Sequence, residues 1–186
     1  MKAALSFFLL TIALGAQFDP SGRKSGSFPA SLLSAQLQPS TSDRTSPWED
    51  LAIVVNRSNA VSNVTMWQLH DIFLGEKKWW SRRRQVVLVA MPRGAEERQA
   101  MQRVVDGMND ADLDKYVFLK FYDGELLTPR ATAASAKDVR TFVANRPGAI
   151  GYLRMSDVDN SLKVVRVNGL LPGDDGYPLR VARRTP

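Results

Sequence analysis

The chain has 186 residues, 44% of them hydrophobic, with a formal net charge of +6 at pH 7, one histidine and no cysteine. That length suggests one domain with extras, and the apolar share is enough for a core. A disulfide scaffold, a thiolate zinc site, a cysteine nucleophile and a lipidated N-terminal cysteine are all excluded, while the basic balance favours acidic partners without choosing among them.

Residues 1–16 read as a secretory signal peptide. Lys2 gives the positive start, Ala3 to Leu14 is almost unbroken apolar sequence, and Ala13 to Ala16 supplies small residues for cleavage. The apolar run is short of the roughly 20 residues that span a bilayer, and no later stretch is longer. The expectation is an exported protein, periplasmic or secreted, with no transmembrane segment after cleavage. Residues 17–47 are rich in Ser, Pro, Gly and Thr and read as a flexible linker. The folded domain is expected over 48–186.

That domain opens on Leu51 to Val55, a partly β-branched apolar run expected to be a buried strand. Asn56 to Asn63 is polar and turn-prone. Thr65 with Gln68 three residues on forms a capping box, so a helix is expected from Met66 to Leu74, stopped by Gly75. Gly75 to Arg84, GEKKWWSRRR, reads as a charged loop. Gln85 to Ala90 is a second strand. A helix over Glu96–Val105 is expected to bury Ala100, Met101, Val104 and Val105. Asn109 caps a third helix, with Leu113, Tyr116, Val117 and Phe121 inward. Ser135 caps a fourth, which ends near Asn145 because Pro147 follows. Ala149–Leu153, Leu162–Val167 and Pro178–Val181 are further strands. The alternation predicts an α/β fold, a mixed, mostly parallel sheet flanked by helices.

Chemistry-bearing arrangements are sparse. His70 has no second histidine with which to share a metal, and nothing flanking it suggests an activated serine. The aspartates lack EF-hand or paired-carboxylate spacing, and no dinucleotide or Walker-type loop occurs. No catalytic residue, metal site or cofactor is therefore assigned. The most unusual feature is the run Lys77, Lys78, Trp79, Trp80, Arg82, Arg83 and Arg84. It is a candidate patch for an anionic envelope partner, a polymer or a membrane surface. Nucleic acid is not favoured for an exported chain.

The stretch IVVNRSNAVSNVTMWQLHDIFLGEKKWW resembles the segment that enters the second lobe of the periplasmic phosphate-binding proteins of ABC importers, which have the type 2 periplasmic-binding-protein fold. Members read roughly as an apolar strand, Asn-x-x-Asn-Pro-Val-x-Asn-Leu-Thr, a helix ending Ile-Phe-x-Gly, and a tryptophan. Here Ala60 replaces the proline. RPGAIGYL at Arg146–Leu153 and VVRVNGLLPGDDGYPL at Val164–Leu179 agree in order and spacing. A two-lobed member is far longer, so the resemblance implies a single lobe.

The resemblance further implies a non-catalytic solute-binding module, with a small anion or solute as ligand and an ABC permease or other envelope protein as partner. A ligand on the C-terminal edge of the sheet would meet Asn56, Ser58 and Asn59 and the turn carrying Arg93, Gly94 and Arg98. The family grips phosphate with a Gly-Ser-Gly-Thr turn at a helix start, preceded by an arginine. In the matching stretch only Gly94 survives. Ala95 and Glu97 stand at the hydroxyl positions and Met91 at the arginine's, so phosphate binding itself is not carried over. The alternative is a protein- or envelope-interaction module that uses the basic aromatic run at 76–84.

Overall fold

The computed structural model describes residues 46–125 and 127–184. The expected leader and most of the expected linker lie outside the described residues. Fifteen elements follow one another among the described residues. β1 (Trp48–Asn56), β2 (Asn63–Val64), α1 (Met66–Leu74), β3 (Trp79–Ser81), β4 (Arg84–Gln85) and β5 (Val87–Ala90) come first. Then come α2 (Glu96–Met101), a π-helical turn (Gln102–Asp106), α3 (Asp110–Tyr122), β6 (Arg130–Thr132) and α4 (Ala136–Ala144). β7 (Ala149–Arg154), a 3₁₀ turn (Met155–Asp157), β8 (Leu162–Val167) and β9 (Arg180–Ala182) close the domain.

Seven of the strands build one mixed sheet in the order β2-β8-β1-β7-β5-β6, with β9 joined to the start of β1, and β3 and β4 pair with each other in a separate two-stranded sheet. β5 runs parallel to β6 and β7, and β2 runs parallel to β8. β1, in the middle, runs antiparallel to both of its long neighbours. Successive side chains of β7 point to opposite faces. A Cβ on Gly151 would lie 3.1 Å from Val139 of α4, whereas the Tyr152 ring sits 5.6 Å from that of Phe73 in α1. Helices therefore cover both faces, and β1 and β7 are buried along nearly their whole length.

Short-range chemistry sets the helix ends. Thr65 Oγ1 accepts from Gln68 N at 3.1 Å, and Thr65 N donates to Gln68 Oε1 at 3.1 Å. Gly75 closes α1 in the left-handed conformation, φ 84°. Asn109 and Ser135 cap α3 and α4 through Asp112 N and Asp138 N. Thr65→Ala is expected to cost about 1 kcal/mol, the usual worth of an N-cap hydroxyl, read as a lower urea midpoint with an unchanged m-value. An unchanged midpoint would show that the box contributes nothing.

Four expectations are corrected. Residues 75–84 are not simply a loop: Trp79–Ser81 and Arg84–Gln85 pair antiparallel across the turn Arg82–Arg83. The aromatic pair favours extended chain, but no Asn-Gly or Gly marks the turn. The helix after Glu96 changes pitch, since Gly107 N bonds Gln102 O, an i to i−5 contact. That shift leaves Val104 42% exposed. Only Leu113 of α3 is buried, and Val117, Phe118, Phe121 and Tyr122 are exposed. Finally, β2 and β6 are strands too short to carry a periodic signal.

Candidate functional site

The direction of β1 decides how the candidate residues are arranged. Val55 pairs with Ile150, and Ile150 pairs with Leu88, whereas Leu51 pairs with Arg154. The end of β1 is thus level with the start of β5. Asn56, Ser58 and Asn59 lie at one edge of the sheet, and Arg93, Gly94 and Arg98, which follow β5, lie at the other. The six do not form one site. The expectation assumed a β1 parallel to its neighbours, and an antiparallel strand sends its C-terminal edge the opposite way.

At the first edge the polar side chains hold the fold. Asn56 is buried, and its Nδ2 donates to Val143 O at 2.9 Å and Ala144 O at 2.6 Å. It thereby satisfies carbonyls that the end of α4 leaves open. Its Oδ1 accepts from Ser58 N and Ser58 Oγ. Asn59 is also buried: its Oδ1 accepts from Val61 N, and its carbonyl accepts from Lys163 Nζ. Its Nδ2 has no partner among the described residues.

The basic aromatic run meets Asn56–Asn59 at this edge. Arg84 Nη1 donates to Ser58 O at 2.7 Å, and Trp80 Nε1 donates to Gly148 O at 2.8 Å. Trp80 packs against the core, with Lys77 5.8 Å above its ring. Trp79, on the opposite side of β3, is 48% exposed. Lys78, Arg82 and Arg83 are exposed, and Lys77 and Arg84 are half-buried.

At the second edge the turn before α2 is occupied by its own charges. Gly94 takes φ 82°, and Ala95 stands at the N-cap without a side-chain bond. Glu97 is buried and accepts from Arg154 Nε at 2.5 Å and Arg184 Nη2 at 3.0 Å. Arg154 also reaches Glu96 at 2.7 Å, Glu49 at 3.3 Å and the Ala182 carbonyl. Burial pushes the Glu97 carboxyl up, but its bonds to Arg154 and Arg184 outweigh this and hold it below the usual range.

The arginines of this edge are engaged as well. Arg98 donates from Nε and Nη2 to Asp110 Oδ1 and from Nη1 to Met91 O. Burial would raise Asp110, yet its bonds from Arg98 and Gln102 leave its carboxyl lowered. Arg93 pairs with Asp114 at 2.7 Å on the surface. Met91 is buried, and its N–H donates to the Tyr152 hydroxyl.

From Arg93 and Arg98 a groove of about 710 Å³ runs past Arg130 and Thr132 of β6 to Gly75 and Leu127, with Leu113, Phe118 and Phe121 of α3 along its side. Arg130 lines it, and burial holds that guanidinium below its ordinary value despite the neighbouring Asp106. Arg130 and Phe118 did not stand out in the sequence. The first belongs to a three-residue strand and the second lies off the apolar stripe of α3. Among the described residues no group of three His, Cys, Asp or Glu side chains is placed to hold a metal ion. No described helix is long and apolar enough to cross a membrane.

No protein-family model matches the sequence. The fold does recur in solved structures. An ABC-type phosphate transport receptor from Vibrio cholerae superposes with a TM-score of 0.60 at 22% identity, over 73% of this chain and 55% of that one. A putative phosphate ABC transporter substrate-binding protein from Clostridium perfringens, solved with bound phosphate, gives 0.61 at 21% identity, over 73% and 54%. PstS from Borrelia burgdorferi gives 0.58 at 14% identity, over 73% and 56%. The chain thus spans about half the length of the structures it matches. At these identities the likeness is one of fold, and the fold is that of the substrate-binding proteins of phosphate ABC transporters.

Proposed function

We propose that the chain is an exported, non-catalytic binding module of the solute-binding type that does not take free phosphate as a ligand at physiological levels. The organisation would be a signal peptide over 1–16, a linker over 17–47 and the binding domain over 48–186. Its ligand would be a small anion or solute held at the Arg93–Arg98 end of the groove, and its partner an ABC permease or another envelope protein. The groove beside Arg93, Arg98 and Arg130 supports the solute-binding part.

The observation that carries the phosphate part is the state of the turn before α2. Glu96 and Glu97 fill the helix start, where an anion would sit, and both are bound to Arg154. Arg98 is spent on Asp110 and Met91. Two hydroxyls and a free arginine are thus missing from the family's grip. Each lost charge-assisted hydrogen bond is worth roughly 1.5–3 kcal/mol. Three of them remove on the order of 5 kcal/mol, or about 3 to 4 decades of affinity.

Calorimetric titration with phosphate at near-physiological salt is expected to show no saturable isotherm below the millimolar range. A micromolar isotherm overturns the phosphate part. The solute-binding part is tested by a thermal-shift screen of small anions and solutes, where a ligand raises the melting temperature by mass action. A broad screen in which none does so overturns it.

A further inference from the structure

We propose that the sheet edge formed by the end of β1, the β3–β4 hairpin and the turn before β7 is a docking face for an anionic lipid surface. This is independent of the solute-binding reading, because it uses the opposite edge. Three chain segments meet there. Val87 N bonds Gly148 O at 3.0 Å, Val86 N bonds Lys78 O at 2.9 Å, and Arg84 bonds the Ser58 carbonyl. The edge gathers Arg57, Lys78, Arg82, Arg83 and Arg146, all exposed, with Lys77 and Arg84 half-buried.

Charge pairing differs between the two edges, although Asp159, next to the Asn160 that Arg57 bonds, pairs with Arg140 near the first of them. Among the described residues none of these seven cations has a carboxylate within salt-bridge distance. Arg57 donates to a carbonyl, that of Asn160, and Arg146 lies 3.9 Å over the Phe142 ring. At the other edge Arg93, Arg98, Arg154, Arg180 and Arg184 each hold a carboxylate. Glu76, beside the hairpin in sequence, is turned to Tyr116 and Lys120. Cations without an internal carboxylate keep their charge uncompensated toward an external anion, and a bilayer carrying acidic headgroups supplies a sheet of them.

Trp79 supplies the second half of the match. Strand alternation turns Trp80 into the domain and leaves Trp79 and Ser81 outside, so one indole projects from the cationic hairpin. Indoles and long cationic side chains are the residues that settle at the boundary between headgroups and acyl chains. A single strand of nucleic acid would want several stacking platforms in a groove. Here Trp80 is spent on Gly148, and one exposed indole remains at this edge among the described residues.

The test uses the full chain and two kinds of vesicle, phosphatidylcholine alone and phosphatidylcholine mixed with phosphatidylglycerol. Binding is expected to the mixed vesicles, to fall steeply as salt rises, and to be much weaker on neutral ones. The neutral arm also measures any affinity that residues 1–16 have for lipid. The triple variant Lys78→Ser, Arg82→Ser, Arg83→Ser should lower partitioning about a hundredfold. Removing the same charge elsewhere, with Arg103→Ser, Lys115→Ser and Lys137→Ser, should leave partitioning unchanged.

Bromine-labelled lipid should quench tryptophan emission, and Trp79→Phe should abolish most of that quenching. The double variant Arg82→Ser, Arg83→Ser changes only the turn and stands in should the triple variant fold poorly. Equal loss from the two triples overturns the proposal. So does binding to an oligonucleotide or an acidic polysaccharide without binding to mixed vesicles, and so does quenching that survives Trp79→Phe.

Discussion

Arg154→Met is expected to lower the melting temperature by roughly 10–15 °C at neutral pH. Arg154 is 1% exposed and reaches Glu97, Glu96, Glu49 and the Ala182 carbonyl. Methionine fills much of the same volume, so the loss is electrostatic rather than a cavity. It leaves the buried Glu97 with Arg184 as its one remaining cation and the half-buried Glu49 with none. Breaking a buried pair by removing one partner costs about 3–5 kcal/mol, because the charge left behind is neither solvated nor paired.

The pH dependence gives this loss a signature. Burial raises Glu97 and Glu49, but bonds to Arg154 and Arg184 in the first case, and to Ser156 and Arg154 in the second, leave both below their ordinary value of 4.5. A carboxyl lowered by folding adds stability that is present above its unfolded pKa and is lost as pH falls through its folded pKa. In the methionine variant Glu97 keeps Arg184 and Glu49 keeps Ser156, so both carboxyls are held down less than in the parent and acid takes less stability from the variant than from the parent. The gap in melting temperature should be widest near neutrality and should narrow below about pH 4.5. A gap that stays constant into acid would show that packing, not charge, holds Arg154 in place. Arg154→Lys should fall between the two, since an ammonium cannot fork to three carboxylates.

This network also marks where sequence reading stops. Glu96 and Glu97 were legible as first-turn carboxylates that suit the dipole of α2. Their actual partner lies 57 residues or more along the chain, beyond any local pattern. What local chemistry dictates came through. The capping box of Thr65, the caps of Asn109 and Ser135, the Gly75 stop and the bounds of β8 are all as the residues imply. Strand direction is not local. Leu51 to Val55 reads the same whether it pairs parallel or antiparallel, so nothing in that run showed that Asn56 and Arg98 would face opposite ways.

α3 makes a related point. A period of 3.6 shows that a helix has an apolar stripe, but not that anything covers it. Leu113 is covered, while Phe121 is 71% exposed one groove-length further on. The stripe therefore lines the groove past β6 instead of the core. The hairpin was hidden for a different reason. Its turn residues are both arginine, which carry no turn signal, and its anchor to the domain is a tryptophan bonded to a glycine 68 residues away.

Gly148→Ala should be nearly as damaging as Arg154→Met, at about 3–5 kcal/mol. A Cβ there would lie 2.1 Å from Gln85 O and 3.3 Å from the Gln85 carbonyl carbon. The obstacle is backbone, so no side chain can swing aside to make room. The chain at Gln85 has to move away, and two bonds to the Gly148 carbonyl are at stake, from Val87 N and Trp80 Nε1. Overpacking of this kind costs roughly 1–3 kcal/mol, and each lost bond adds about 1 kcal/mol. Because the strain falls where the hairpin joins the sheet, the expected fall in melting temperature should come with a changed Trp80 environment and faster tryptic cleavage at Arg82–Arg83. Gly94→Ala is the control. Its φ of 82° disfavours alanine, but a Cβ there meets nothing within 4 Å, so it should cost only about 1–2 kcal/mol and leave hairpin cleavage unchanged. If Gly148→Ala melts with the parent and the hairpin stays resistant, β4 and the turn before β7 do not pack as closely as the structure places them.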